Sequence, residues 1–146
     1  LPSPREVLTS IAFNGYLYAI GGYTMGGGPE SDVLVAPFNA DGTIGSWTSS
    51  TPFPRARFAH TTVVLGGSLF VMGGDSGANT PLGDVQAATL NPDGSMGAWA
   101  ATTPLPSTRE YFASAVTNGR IYIIAGMRPN GPQFLDDVYV TTPGLP

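Results

Sequence analysis

The sequence predicts an all-β fold built from repeated antiparallel units, and three observations support this prediction. Similar stretches recur every 52 residues, which places Arg5, Arg57 and Arg109 at equivalent positions. Short alternating apolar and β-branched runs are bounded by Gly, Pro, Asn and Asp, as strands are. No run has the period of an amphipathic helix. Repeats of this length are typical of solenoids, propellers and arrays, in which each unit buries its apolar faces against its neighbours.

The composition also favours strands separated by turns. The 146 residues include 20 Gly and 14 Pro, and only 11% of the residues are charged. A hydrophobic fraction of 42% is too high for a disordered chain. We therefore interpret the Gly and Pro residues as boundaries between strands.

Each repeat carries the signals of four strands. In the second repeat we expect them at 59–65, 68–74, 84–90 and 96–102. The first junction of every repeat is Asn-Gly or Gly-Gly, which suits a two-residue hairpin turn with positive φ. The third junction carries Asp-Gly in the first two repeats, which also favours a short turn.

The repeats divide the chain into three expected units, at residues 1–52, 53–104 and 105–146. The third unit has neither the Asp-Gly turn nor the Trp of the other two. We therefore expect three strands there and no outer strand.

These units resemble the kelch blade of a β-propeller. The resemblance is carried by the Arg before the first strand, by "YLYAIGG", "LFVMGG" and "IYIIAG" in the second, by "DVLVAPF" and "DVYV" in the third, and by "GSW" and "GAW" in the fourth. It covers essentially the whole chain and implies a kelch-type β-propeller portion. The third repeat departs from the pattern, with Ala125 in place of the first Gly and a one-residue shift before Asp137.

Chain order places the repeated arginines at one end of the blades. In an antiparallel blade, the segment before strand one and the loop between strands two and three lie at the same end. The arginines should therefore share a face with the loops at 23–31, 75–83 and 127–136, which are the least alike parts of the repeats.

Two blades and three further strands cannot close a ring, because propellers are typically built from four to eight blades. We expect either a homodimer that gives six blades around a two-fold axis or the remainder of a longer propeller. A head-to-tail contact that fails to close would instead give a fibre.

Several classes of ligand are not expected. The net charge is −4 and the six Arg residues form no basic stripe, so we expect no nucleic acid. No apolar run approaches the roughly 18 residues of a membrane helix, so no membrane association is expected. Without Cys there is no thiolate ligand, and the Asp spacing is not that of a calcium loop, so no metal or cofactor is expected. The compartment stays open, with an extracellular or periplasmic location favoured.

The candidate ligand-binding residues are Arg5, Arg57, Arg109 and His60. Guanidinium groups from successive blades could converge on an anion near the axis, or each could hydrogen-bond loop carbonyls between blades. In kelch domains that capture acidic peptides, arginines in such "PRxR" segments bind the carboxylates, and the resemblance implies this role for Arg57 first. His60 aligns with Leu8 and Phe112, which favours a core position over a catalytic base.

Three functions follow from these observations. The first is a non-enzymatic recognition or assembly module that binds a peptide, glycan or partner protein on the variable-loop face, with the arginines favouring acidic groups. The second, implied by bacterial kelch-like sugar mutarotases, is an enzyme that uses Arg with Glu6, Glu110 or His60. The third is a structural subunit of an extracellular ring or fibre. Of these we favour the recognition module, so no catalytic residue is assigned.

Overall fold

The computed structural model describes residues 1–128 and 134–141, and within these ranges the fold is all β. Parts of the predicted loop at 127–136 and of the third unit lie outside the described residues. The strands are β1 (Thr9–Phe13), β2 (Tyr16–Ile20), β3 (Tyr23–Thr24), β4 (Gly28–Pro29), β5 (Val33–Pro37), β6 (Thr48–Ser49), β7 (Thr61–Leu65), β8 (Ser68–Met72), β9 (Val85–Thr89), β10 (Ala100–Ala101), β11 (Ala113–Thr117), β12 (Arg120–Met127) and β13 (Phe134–Thr141).

The strands form three antiparallel sheets, one per repeat, which we call blades 1, 2 and 3. Blade 1 has the order β1-β2-β5-β6 and blade 2 has the equivalent order β7-β8-β9-β10. Blade 3 consists of β11-β12-β13 in the described part of the chain. Strands β3 and β4 form a small hairpin in the loop after β2. The predicted all-β fold of repeated antiparallel blades is confirmed, with four strands in each of the first two blades and three in the described part of the third.

The first hairpin of each blade has the predicted turn. Asn14 and Gly15 have φ values of 48° and 82°, and the pairs Gly66-Gly67 and Asn118-Gly119 are also left-handed. Two successive left-handed residues match the twist of the flanking strands, so this turn fixes the register of the two inner strands.

All four predicted strands of blade 2 are longer than the observed strands, and the differences in the inner and outer strands have a structural cause. The inner strand begins at Thr61 rather than 59, because Ala59 has a φ of 53° and donates its backbone N–H to the Val7 carbonyl of blade 1. The outer strand is Ala100–Ala101 rather than 96–102. Residue Met96 instead makes an isolated bridge to Leu90 and packs in the core.

The apolar core lies between consecutive blades. The side chains between blades 1 and 2 include Tyr18, Ile20, Val33, Val35, Phe53, Leu69 and Val71. Those between blades 2 and 3 include Val63, Phe70, Met72, Val85, Leu105, Ile121 and Ile123. Each blade therefore buries one face of its neighbour, as the repeat predicts.

Within the described ranges, no helix is long and apolar enough to cross a membrane.

Candidate functional site

The segment that leads into each blade pairs with the variable loop of the same blade. Glu6 and Tyr23 exchange two backbone hydrogen bonds of 3.0 and 2.8 Å. Equivalent bridges join Phe58 to Asp75 and Glu110 to Met127. The arginine segments and the variable loops thus lie at one end of the blades, as chain order predicts.

A chain of backbone hydrogen bonds links these lead-in segments across the blades. The Ala59 amide donates to the Val7 carbonyl at 3.2 Å, and the Tyr111 amide donates to the Ala59 carbonyl at 2.9 Å. All three residues are left-handed, with φ values between 51° and 53°. This conformation is costly for a β-branched residue such as Val7, so the contacts between blades must hold it in place.

Arg57 is fully buried inside its own blade. Its Nη1 donates to the Gly73 carbonyl at 2.9 Å, and its Nη2 donates to Asp84 Oδ2 at 2.8 Å. The Phe53 ring lies 5.7 Å from the guanidinium carbon. Burial alone would raise the pKa of Asp84, but hydrogen bonds from Arg57 and Gln86 outweigh it and hold that pKa below its usual value.

Arg5 and Arg109 pair with the equivalent Asp of their blades, and each binds both carboxylate oxygens where Arg57 binds one. Arg5 donates to both carboxylate oxygens of Asp32, at 2.6 and 3.0 Å, and Arg109 donates to both oxygens of Asp137, at 2.9 and 3.1 Å. Each also donates to the carbonyl of the residue at the end of strand two, Gly21 or Ala125. The hydrogen bond from Arg109 lowers the pKa of Asp137.

These carboxylates were missed as arginine partners, although the sequence carries a signal for them. Arg5 and Arg57 precede their partners by 27 residues, and Arg109 precedes its partner by 28. The pairs fasten the lead-in segment to the start of strand three and to the end of strand two. Binding of an acidic ligand by the arginines stays a prediction, and such a ligand would compete with an Asp of the blade for each guanidinium.

His60 lies in the seam between blades 1 and 2, as its alignment with apolar residues predicts. Its side chain is buried, and Nε2 forms a 3.0 Å hydrogen bond with the Thr9 hydroxyl of blade 1. Burial, with the nearby Arg57 charge, lowers the pKa of His60 to about 3. The ring is therefore neutral near pH 7, and a role in ligand binding stays a prediction.

The paired lead-in segments and variable loops carry acidic and aromatic side chains at their shared end, and we call this region the mouth: Glu6, Tyr23, Phe58, Asp75, Glu110 and Tyr111. Asp75 and Glu110 are buried, whereas 55% of Tyr111 is exposed. Burial and the Asp75 charge raise the pKa of Glu110. Burial and the charges of Glu110, Asp75 and Glu6 raise the pKa of Tyr111. Three carboxylates therefore lie close enough to Tyr111 to disfavour its ionisation.

The aromatic part of the mouth joins blades 1 and 2. The rings of Tyr23 and Phe58 meet edge to face with their centroids 5.3 Å apart. Neither ring was a candidate from the sequence, because Tyr23 has no aromatic counterpart in the other variable loops. Only the pairing of loop and lead-in segment brings the two rings together.

Two further acidic residues, Asp41 and Asp93, serve turns. Asp41 and Asp93 each accept hydrogen bonds from the backbone amide and the hydroxyl of the residue two positions later. In the described part of the chain, no cluster of three or more His, Asp or Glu residues is suited to hold a metal ion.

Comparison with known proteins agrees with this architecture. The Kelch motif matches residues 56–87 and 108–140. Kelch-like protein 40 of Mus musculus is 26% identical over 95% of this chain, and Kelch-like protein 21 of Rattus norvegicus is 27% identical over 66%. The chain spans 21% and 15% of the length of these relatives.

A solved structure, that of YjhT, superimposes with a TM-score of 0.69. It is 22% identical to this chain, and the match covers 88% of this chain and 36% of YjhT. The antiparallel blades and their buried seams define a portion of a β-propeller. The Kelch motif matches parts of its second and third repeats, and the chain is similar to kelch-repeat propellers.

Proposed function

We propose that this chain is a non-enzymatic recognition module whose mouth binds a segment of a partner protein. Kelch repeats generally mediate protein interactions. The observation that carries the proposal is the pair of buried carboxylates, Asp75 and Glu110, beside the exposed ring of Tyr111. Burial and the Asp75 charge disfavour the ionised form of Glu110, so a ligand that brings positive charge would favour that form.

The chemistry of the mouth favours a basic segment. A Lys or Arg side chain could pair with Glu110 and rest against the Tyr111 ring, which combines an ion pair with a cation–π contact. The three repeated arginines would not oppose such a ligand, because their guanidinium groups lie against Asp32, Asp84 and Asp137. This proposal differs from the acidic ligand that the arginines suggest in the sequence alone.

Binding of short peptides tests the proposal. We expect an Arg-rich peptide to bind at pH 7 and Glu110→Gln to weaken it by about tenfold, the usual value of one charge-assisted hydrogen bond. Asp41→Asn is the matched control, because it removes one charge at the opposite end of the blade. Affinity should fall as the pH is lowered through the raised pKa of Glu110. Preference for an Asp- and Glu-rich peptide would contradict the proposal.

We also propose that a second copy completes the ring. The face of blade 3 directed away from blade 2 carries Tyr122, Ile124, Val138 and Val140. The residues at the equivalent sites of blade 1, which are Tyr18, Ile20, Val33 and Val35, are buried by blade 2. About half of the Val138 and Val140 side chains is exposed. A following blade would bury this apolar face, as blade 2 does for blade 1.

A further inference from the structure

A groove lies between blade 1 and the turn that joins the third and fourth strands of blade 2. Chain order places this turn at the end of the blades opposite the mouth. The volume of the groove is about 620 Å³, which is within the roughly 300–1,000 Å³ of small-molecule sites. The lining residues are Tyr16, Val35, Pro37, 48–52 and 93–96. All of them lie in blades 1 and 2 or in the connection between them, and both blades have four strands.

Contacts across the seam hold the groove in shape. The Tyr18 hydroxyl of blade 1 donates to the Gly94 carbonyl at 3.2 Å. The Thr51 hydroxyl, in the connection between the blades, donates to the Met96 carbonyl at 3.2 Å. The Gly94 backbone packs on the Tyr16 ring, since a Cβ on Gly94 would lie 2.7 Å from that ring. The turn of blade 2 is therefore fixed on blade 1, and a ligand would order few further groups when it binds.

The polar side chains of the groove carry hydroxyls and one carboxylate. Thr48, Ser49 and Ser50 supply hydroxyls from the side of blade 1. From blade 2, Asp93 accepts hydrogen bonds from the hydroxyl and the amide of Ser95, which hold the pKa of Asp93 below its usual value. Asp93 is therefore ionised at pH 7. The described residues that line the groove include no Arg, and the sequence contains no Lys, so the groove does not favour an anionic ligand.

The blade itself does not require these groups. Blade 2 has Ala100 and Ala101 at the positions equivalent to Thr48 and Ser49, and both pairs form a two-residue outer strand. The counterpart of Tyr16, 52 residues later, is a serine. The hydroxyls and the aromatic ring are therefore particular to this groove, and a ligand that they bind would account for them.

We propose that this groove binds a small neutral saccharide. A sugar combines hydroxyl groups with apolar C–H faces, and the lining of the groove matches both. Hydroxyls of the sugar donate to the Asp93 carboxylate and exchange hydrogen bonds with Thr48 and Ser49. Its C–H faces rest on Tyr16 and Pro37. The site lies at the other end of the blades from the mouth and does not depend on a ligand there.

Titration of the isotope-labelled full chain with maltose, lactose or cellobiose, followed by amide NMR, provides the test. We expect saturable binding of at least one of these disaccharides, with a dissociation constant of about 1 mM. The amide signals of Ser50, Gly94 and Ser95 should shift, and that of Tyr111 at the mouth should not. Galacturonic acid, which brings a second carboxylate close to Asp93, should bind more weakly than galactose.

Two variants test the lining of the groove. Asp93→Asn keeps the oxygen that accepts from Ser95 but removes the charge, and it should weaken binding of the sugar about tenfold, the usual value of one charge-assisted hydrogen bond. The double variant Thr48→Ala, Ser49→Ala copies blade 2 and should also weaken binding. Asp41→Asn is the matched control, because it makes the same change in the equivalent turn of blade 1, outside the groove, and should leave binding unchanged.

The amide spectra also show whether each variant is folded. The proposal would be overturned if none of the three disaccharides bound saturably at concentrations about tenfold above 1 mM. Unchanged affinity in either folded groove variant, or shifts confined to the mouth, would also overturn it. Tighter binding of galacturonic acid than of galactose would assign the groove to an anionic ligand and would contradict the proposal as well.

Discussion

At the scale of single residues, the arginines that recur every 52 positions have a physical role that requires no ligand. Each is almost fully buried and joins three segments of one blade through an Asp and a backbone carbonyl. The sequence predicts that the three arginines occupy equivalent positions. It does not decide whether they bind an anionic ligand or hydrogen-bond loop carbonyls between blades. The partner could not be derived from local patterns, because 27 residues and two strands separate the two charges.

The first prediction concerns this buried pair. Arg57→Ala should lower the free energy of unfolding by about 3 kcal/mol, because it removes the charged donor to the Gly73 carbonyl and leaves the Asp84 carboxylate with only Gln86. Arg55→Ala, at an exposed position two residues away, should change it by less than about 0.5 kcal/mol. Chemical denaturation measures both. An Arg57→Ala protein of unchanged stability that has lost an acidic ligand would restore the ligand-binding role.

The second prediction concerns His60 and pH. The pKa of His60 is about 3 in the folded chain and 6.5 in the unfolded chain. As the pH is lowered, His60 therefore binds a proton in the unfolded chain before it does so in the folded chain. The neutral His60 costs the fold no stability above pH 6.5, and the free energy of unfolding decreases as the pH falls from 6.5 toward 3. The loss can reach about 4 kcal/mol. His60→Phe, which copies Phe112 of the next repeat, should remove this dependence between pH 6.5 and 4.5.

Thermal or denaturant unfolding across that pH range provides the measurement. Asp84 and Asp137, whose pKa values are lowered, stop contributing to the stability of the fold only when the pH falls below 3.8, the ordinary pKa of an Asp. Glu110 acts in the opposite direction, because its raised pKa favours the folded state as the pH falls. An unchanged pH dependence in His60→Phe would show that the histidine is not the source.

At the scale of strands and turns, the hairpins and the presence of an outer strand in blades 1 and 2 followed from the sequence, whereas the bounds of the outer strand of blade 2 did not. Two left-handed turn residues suffice to specify the first hairpin of every blade. The outer strand of blade 2 is only two residues long, because Met96 and Trp99 turn toward blade 1 and pack in its core. Packing against a neighbouring blade is a tertiary interaction, so the alternation of residue types along one strand cannot predict where that strand begins.

The third prediction uses two glycines in equivalent turns. Gly42 and Gly94 both have a φ of 83°, but a Cβ on Gly42 would meet no atom within 4 Å. A Cβ on Gly94 would lie 2.7 Å from the Tyr16 ring of blade 1. Gly42→Ala should therefore cost about 1 kcal/mol for backbone strain alone. Gly94→Ala should cost about 1–3 kcal/mol more, because the turn must move off blade 1.

Urea denaturation of both variants checks the difference. Equal losses in the free energy of unfolding would mean that the turn of blade 2 is not packed closely against blade 1. The Tyr18 hydroxyl, which donates to the Gly94 carbonyl at 3.2 Å, gives a further test, because Tyr18→Phe should add little to Gly94→Ala.

At the scale of the whole molecule, the two seams show how further blades are added. In both seams a glycine amide at the end of strand two donates to the carbonyl of the next Arg, from Gly22 to Arg57 and from Gly74 to Arg109. The residue before that glycine must also be small. A Cβ on Gly21 or Gly73 would lie 2.8 Å from the next Arg carbonyl. Blade 3 has Ala125 there, so a following blade cannot dock with the same geometry without shifting.

The last prediction follows from that difference. Under the homodimer proposal, light scattering of the isolated chain should give about twice its mass of 15.1 kDa. The double variant Val138→Lys, Val140→Lys should have the mass of a single chain. The control Ile44→Lys, which changes another exposed apolar side chain, should keep the mass of the dimer.

The variant Ala125→Gly distinguishes a dimer formed through this face of blade 3 from a dimer formed through another surface. Removing the Cβ, and with it the strain of an alanine at a φ of 57°, should lower the dimer dissociation constant several-fold, because the next Arg carbonyl can approach as it does in the other two seams. Sedimentation over a range of concentrations measures this constant. A dimer unaffected by Ala125→Gly would associate through another surface, whereas a 15.1 kDa mass for the unaltered chain at micromolar concentration would contradict the closed ring itself.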